Sequence, residues 1–295
     1  MPESSHDHDA PTAPHGPGGA ELARIAGDIA REVGELIHAR REAGVAIATT
    51  KSSLTDVVTA ADREAETLVV TRLSELRPED GILGEEGAER ASETGITWVV
   101  DPIDGTVNYL YGLPAYAVSI AATVVDDRAP GALAGNTHDG RRAIAGAVYL
   151  PVTRELFVAH EGGGATRNGD PIAVSEVTEL GVALVATGFG YTVERRTEQA
   201  EVVRQVIPLV RDIRRLGSAA VDLCLLASGR LDGYYERGLQ PWDYAAGALV
   251  AREAGAVLLG RDADTLPGEP LLVAGPPALA SRLREAIRTA YAALD

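Results

Sequence analysis

Apolar residues along this chain fall into two rhythms. From about Ala20, Leu22, Ile25, Ile29, Val33 and Ile37 recur every three or four places, which predicts an amphipathic helix stopped at Gly44. A polar stretch, Lys51-Ser-Ser-Leu-Thr-Asp56, reads as an exposed loop, and a second helical pattern runs from Asp62 to Leu76 before Pro78 ends it. Short apolar runs then follow at Gly81–Gly84, Ile96–Val100 and Tyr116–Val125, the last nearly unbroken, as in a strand buried on both faces. Residues 126–142, rich in Gly, Asp and Arg, are expected to form a long, mobile hairpin loop leading to a strand at Ala143–Leu150. A further strand at Glu155–His160 turns at Gly162–Gly164.

The second half alternates more regularly. It predicts a helix near Glu198–Val210, a short strand ending at Leu216, a helix over Ala219–Ala227 and a strand at Leu231–Tyr235. A helix over Tyr244–Glu253, strands near Val257–Leu259 and Leu271–Ala274, and a last helix from Pro276 complete it. Helices mixed with neighbouring strand runs imply layered α and β structure, neither a simple doubly wound sheet nor a barrel. No linker splits the chain. The expected organisation is a disordered tail over 1–19 and one folding unit over 20–295, with subregions of about 20–180 and 181–295.

Charge narrows the partners. The chain carries 27 Lys and Arg against 43 Asp and Glu, a net charge of −16. Nucleic acid and anionic membranes are therefore not expected as general partners, since phosphate binding needs clustered basic residues. No apolar run approaches the roughly 18 residues of a membrane span, and the N-terminus lacks the basic start and apolar run of a signal peptide. Cys224 is the single cysteine, so neither an intrachain disulfide nor a cysteine zinc site can form. Its apolar helical surroundings point to a core residue rather than a nucleophile, and a cytoplasmic location is expected. His6, His8 and His15 lie in a Pro- and Gly-rich tail that cannot build a rigid metal site.

The chemistry concentrates in Trp98-Val-Val-Asp101-Pro-Ile-Asp104-Gly-Thr-Val-Asn108. An apolar run ends in two aspartates separated by Pro102, which denies the strand its next donor and is expected to turn the chain. The turn gathers Asp101, Asp104 and the Ile103 carbonyl, hard oxygen donors that suit Mg²⁺. Such a cation would reverse the local field for an anionic substrate. If a helical turn starts after Gly105, its free N–H groups face a phosphate. Asp-Pro-x-Asp-Gly is equally a common turn signal. Gly84-Glu85-Glu86-Gly87 adds two carboxylates, of which Glu86 also fits a solvated loop. Asp243, at the start of a helix, reads as a further metal ligand or as an N-cap.

Taken together these strings resemble the inositol monophosphatase family of lithium-sensitive, magnesium-dependent phosphatases. The resemblance runs from about residue 20 and is carried by five further strings. These are Lys51-Ser-Ser…Asp56-Val-Val-Thr-Ala-Ala-Asp62, Gly84-Glu85-Glu86, Gly217-Ser-Ala-Ala220, Asp232-Gly-Tyr-Tyr-Glu236 and Trp242-Asp-Tyr-Ala-Ala-Gly247…Glu253-Ala-Gly255. It implies a layered αβαβα sandwich, of the type shared with fructose-1,6-bisphosphatase, assembled as a homodimer. It implies two or three Mg²⁺ per site, with Glu85, Asp101 and the Ile103 carbonyl holding one and Asp101, Asp104 and Asp243 a second. A third would lean on Glu85 and Asp62. Glu85, Asp62 and Thr106 would carry catalysis, the latter two by orienting the attacking water. Glu85, Ile103, Asp104, Gly105, Thr106, Ala219, Glu236 and Asp243 would surround the substrate, with Ala219 and Glu236 meeting its ring hydroxyls. Lys51 falls in the family's mobile loop. The implied reaction is hydrolysis of myo-inositol monophosphate or a similar polyol phosphate. Histidinol phosphate, fructose 1,6-bisphosphate or a 3′-phosphoadenosine nucleotide are the alternatives, and a non-catalytic interaction role the reading from another class.

Overall fold

The computed structural model describes residues 18–44, 47–50, 57–125, 137–268 and 270–294, with the backbone alone for 47–50 and 57–59. The N-terminal histidines, Lys51 and its loop, and residues 126–136 of the expected hairpin loop lie outside the described residues.

Helix α1 (Gly19–Ala43) buries Leu22, Ile25, Ile29, Val33 and Ile37, the residues whose spacing predicts it. Each such side chain removed from water stabilises by roughly 1.5–3 kcal/mol. Strands β1 (Ile47–Thr50) and β2 (Val57–Thr59) pair as a hairpin, and α2 (Ala60–Leu76) follows. The larger sheet then forms from β3 (Gly81–Gly84), β4 (Glu89–Arg90), β5 (Ile96–Asp104), β6 (Ala117–Val125), β7 (Arg141–Leu150), β8 (Glu155–His160), β9 (Ala165–Arg167) and β10 (Asp170–Pro171). Its order is β10-β9-β8-β7-β6-β5-β3-β4, antiparallel except where β3 runs parallel to β5. A one-turn-and-a-half helix, α3 (Thr106–Tyr111), sits at the end of β5.

Beyond it come β11 (Leu184–Thr187), α4 (Val193–Val206), β12 (Asp212–Arg214), α5 (Ala219–Ala227), β13 (Gly233–Glu236), α6 (Pro241–Glu253), β14 (Val257–Leu259), β15 (Leu272–Gly275) and α7 (Pro277–Ala292). The strands form a second sheet in the order β12-β11-β13-β15-β14. Three apolar clusters glue the layers. Helices α1 and α2 pack on the outer face of the large sheet. Helices α5 and α6 fill the space between the sheets, and α4 and α7 cover the outer face of the small one. The architecture is thus the expected αβαβα sandwich. Among the described residues no helix is long and apolar enough to cross a membrane.

Two expectations need correcting. The strand does not end at Pro102: β5 continues to Asp104, and the proline sits in a bulge where Asp101 opposes Ser119 and Asp104 opposes Ala117. A proline survives inside a sheet where the ladder is already interrupted. Helix α4 begins at Val193 rather than near Glu198, because Thr192 caps it by accepting from Arg195 N at 3.3 Å. Past Val206 a short 3₁₀ turn containing Pro208 ends it.

Asp80, just before β3, is wholly buried. It accepts from Arg77 Nε (2.8 Å) and Nη2 (3.0 Å), Thr94 Oγ1 (2.6 Å) and Trp98 Nε1 (2.9 Å). Burial alone would raise its pKa. The hydrogen bonds and the guanidinium charge outweigh that and hold the carboxyl below its ordinary value.

Candidate active site

The bulge in β5 is the foundation. Pro102 offers no N–H, and the next main-chain N–H, that of Ile103, donates to Asp101 Oδ1 at 3.0 Å, fixing that carboxylate against its own strand. Gly105 follows at φ 93°, where a Cβ would meet the Ala115 carbonyl oxygen at 2.8 Å, so the turn from β5 into α3 requires glycine. Asp104 Oδ2 accepts from Ser218 Oγ and from Ala220 N, both at 2.6 Å. Ser218 is itself the N-cap of α5, accepting from Val221 N at 3.2 Å. Asp243 is not an N-cap. It stands third in α6 behind the cap residue Gln240, whose N–H donates to Asp243 Oδ2 at 2.7 Å.

One ligand oxygen from each of Asp101, Asp104 and Asp243 lies within 4.8 Å of the others. Burial, and then the charges of Glu85, Asp104 and Asp243, push Asp101 well above the ordinary carboxylate range. Asp243 is raised in the same way by burial and by Asp104 and Glu85. Burial lifts Asp104 to about 7, although the hydrogen bonds from Ser218 and Ala220 pull the other way. Three crowded carboxylates of this kind resist ionisation together unless a cation joins them. All-oxygen donors without His or Cys select a hard divalent ion, so the cluster fits Mg²⁺ or a close relative.

The cluster opens into a cavity of about 350 Å³ that Glu85, Ile103, Gly105, Thr106, Ala219 and Glu236 also line. Glu85 borders the same site with its carboxylate against that of Asp101, although it is not one of the three whose oxygens all lie within 4.8 Å of one another. Its main-chain N–H donates to Val100 O at 3.1 Å. Buried Glu66 organises the same turn by accepting from Glu86 N (2.9 Å) and Ala88 N (3.2 Å). Thr106 Oγ1 is 3.3 Å from Asp62 Oδ1 and 3.1 Å from the Ile103 carbonyl, so the expected Thr–Asp contact is made. Asp62 is buried and lies behind Thr106 rather than on the cavity wall.

Glu236, which lines the same cavity, accepts from Tyr234 Oη at 2.8 Å. Burial raises it to about 7. Gly188 makes room for it, since a Cβ there would lie 2.0 Å from Glu236 Oε2. None of the sequence motifs marks Gly188–Tyr191, Arg195, Arg215 or Arg237. These residues all line this cavity. Arg215 lies over the Phe189 ring, 5.8 Å from its centroid, and Arg237 pairs with Glu198. Arg215, two residues before the Gly217 string, and Arg237, directly after Glu236, were the available signals.

The layered sandwich thus converges buried carboxylates from sheet and helix ends on one cavity, a site able to hold a divalent ion. The chain belongs to the inositol monophosphatase family, whose model matches residues 20–292. It is 43% identical over 287 residues to inositol-1-monophosphatase SuhB of Mycobacterium tuberculosis, covering 91% of this chain and 94% of that one. It is 36% identical over 239 residues to the Nus factor SuhB of Escherichia coli, covering 80% and 84%. The crystal structure of the extragenic suppressor protein SuhB from Bartonella henselae superposes with a TM-score of 0.81 at 32% identity, over 91% of this chain and 98% of that one.

Proposed function

We propose that this protein is a magnesium-dependent phosphomonoesterase that hydrolyses myo-inositol monophosphate or a similar polyol phosphate. The observation that carries the reading is the cluster of Asp101, Asp104 and Asp243, held within 4.8 Å in one cavity with Glu236. Asp101, Asp104 and Asp243, with Glu85 and the Ile103 carbonyl beside them, would hold the ions. Bound there, Mg²⁺ would acidify a water and neutralise charge on the phosphate.

The chain's own residues do the rest. Thr106 Oγ1, donating to Asp62, leaves a lone pair that orients the attacking water and passes its proton toward the Asp62 carboxylate. The Gly105 and Thr106 N–H groups, at the start of α3, meet phosphate oxygens. The water oxygen bonds to phosphorus, the ester P–O bond breaks, and the alkoxide leaving group takes a proton from solvent, balanced by return to solvent of the proton that Asp62 received. Ala219 and Glu236 border the polyol, the carboxylate accepting from its hydroxyls. A homodimer in the cytoplasm belongs to the same proposal.

The test is release of phosphate from inositol 1-phosphate with Mg²⁺ and with a chelator, beside histidinol phosphate, fructose 1,6-bisphosphate and a 3′-phosphoadenosine nucleotide. Chelator-sensitive turnover with the polyol ester preferred supports the reading, and a preferred alternative ester moves the substrate while keeping the chemistry. The E. coli relative's name favours a second reading, a Nus-factor role. Such a role needs no hydrolysis, so inertness toward every ester with Mg²⁺ present would support it instead.

A further inference from the structure

A second cavity, also of about 350 Å³, lies on another side of α6. Pro241 and Tyr244 line it, whereas Trp242 and Asp243 between them line the carboxylate cavity. Its walls are mostly apolar, with Ala248, Leu249 and Leu258 among them. Three guanidinium groups, those of Arg141, Arg252 and Arg284, share this lining with a single described carboxylate, Asp139. In a chain of net charge −16 a cavity with surplus positive charge is a local reversal.

The polar groups here are poorly matched to one another. Tyr244 is 1% exposed, and its hydroxyl, which lies beside the Thr137 and Asp139 side chains, makes no well-formed hydrogen bond among the described residues. Arg141 Nη1 is likewise buried without a partner, and its Nε stands 3.7 Å from Asp139 Oδ2. Arg252 reaches Glu253 only at 3.8 Å and Glu161 at 3.9 Å, and donates to the Ala143 carbonyl at 3.2 Å. Arg284 Nη1 is 3.5 Å from the Asp262 carbonyl. Burial accordingly lowers the Arg252 pKa, with the neighbouring carboxylates only partly opposing it. Buried donors without acceptors are rare in folded proteins and call for a reason.

We propose that this cavity is a binding site for a small amphiphilic carboxylate, its apolar body against Ala248, Leu249 and Leu258 and its carboxylate on Arg141 and the Tyr244 hydroxyl. The volume falls in the range of small-molecule sites, which pair apolar walls with a few converging polar groups. Arg141 and Tyr244 both line this cavity and can each donate to an anion, and a planar carboxylate suits a guanidinium. The site is independent of the phosphatase reading, since neither Arg141 nor Ala248 lines the carboxylate cavity.

Octanoate is the probe, titrated calorimetrically into the full chain with Mg²⁺ present, and octan-1-ol and octylamine are the neutral and cationic controls. Octanoate is expected to bind saturably, at least about tenfold more tightly than octanol, with octylamine not binding; tenfold corresponds to about 1.4 kcal/mol. Inorganic phosphate at the carboxylate cavity should leave that binding unchanged. Arg141→Leu should reduce octanoate to the affinity of octanol, and Ala248→Leu, which fills the cavity, should abolish both. Circular dichroism establishes that each variant folds, and either variant alone suffices for the test. Equal binding of octanoate and octanol overturns the carboxylate assignment. No binding by the wild-type chain, or full binding by a folded variant, overturns the site, the cavity then being filled by water or by the chain itself.

Discussion

Asp80 and Asp101 are both aspartates with about 1% exposure or less, each tied to the large sheet, yet they experience opposite electrostatics. Asp80 receives four hydrogen bonds, two of them from a guanidinium, and its pKa falls. Asp101 receives one main-chain hydrogen bond and faces three other carboxylates, and its pKa rises. The difference teaches how to tell a structural buried charge from a functional one. The first is compensated by the fold itself, whereas the second is left uncompensated by the chain's own groups and is open to a cation.

The strongest way to break this comparison is to neutralise the uncompensated member. Asp101→Asn should cut phosphate release by several orders of magnitude while leaving a folded protein, because it removes a ligand from the centre of the cluster. Steady-state kinetics with saturating Mg²⁺ checks it, and near-normal turnover would remove Asp101 from the site. Thr106→Val should slow turnover by roughly 10²–10⁴-fold with KM little changed. The main-chain N–H remains while the hydroxyl facing Asp62 is lost. Asp62→Asn should cause a loss of similar size, and the double variant should be scarcely worse than either single.

Neutralising the compensated member should act on stability instead. Asp80→Asn breaks a buried pair, an effect of about 3–5 kcal/mol, and each kcal/mol lowers Tm by about 2–4 °C in domains approaching this size. Turnover per folded molecule should stay unchanged, and a matching fall in kcat would mean that Asp80 is not purely structural. Glu236→Gln, at the substrate's far end, should raise KM by about tenfold, as expected for one charged hydrogen bond, with little change in kcat.

The smallest effect sharpens the contrast through pH. Asp80 is depressed in the folded state, so its stabilisation is present above the unfolded pKa of about 3.9 and disappears as pH falls through the folded value. Asp101, Asp104 and Asp243 are raised, so their contribution is full below about 3.9 and is lost as pH rises through their folded values, about 7 for Asp104. Calorimetry of the chelated protein should therefore show Tm declining from pH 5 toward about 8, and Mg²⁺ should remove much of that decline. A chelated Tm that rises over the same interval would contradict the raised carboxylates.

Much of this arrangement was legible in the residues, because identity carried it. The 98–108 string marks the β5 end and two of the three clustered aspartates, and the helical spacing of Leu22 to Ile37 marks α1. What stayed hidden depended on contacts between distant segments. Strand β11 offers only Leu184–Thr187, too short to show a period, and becomes a strand by pairing with β12 and β13. Asp243 reads from its string as a metal ligand and from its position as a cap, and what the sequence does not show is that Pro241 enters the first turn of α6 and sets Asp243 behind Gln240. Glu66 looks like any helical surface glutamate until the Glu85–Ala88 turn closes over it. The Arg195 and Arg215 side chains reach the cavity only after the small sheet brings their segments beside Glu236.

The hydrogen bonds from Ser218 and Ala220 to Asp104 have a consequence for the molecule as a machine. Asp104 belongs to the first sheet, its two donors to the first turn of α5, and Asp243 to the first turn of α6. No single layer owns the site. Its geometry exists only while the strand and both helices remain docked, and an ion seated there acts as a rivet through the middle of the sandwich. Partial openings that separate the layers would have to eject such an ion, so under the proposed function the concentration of free cation outside would become a control on how often the interior breathes.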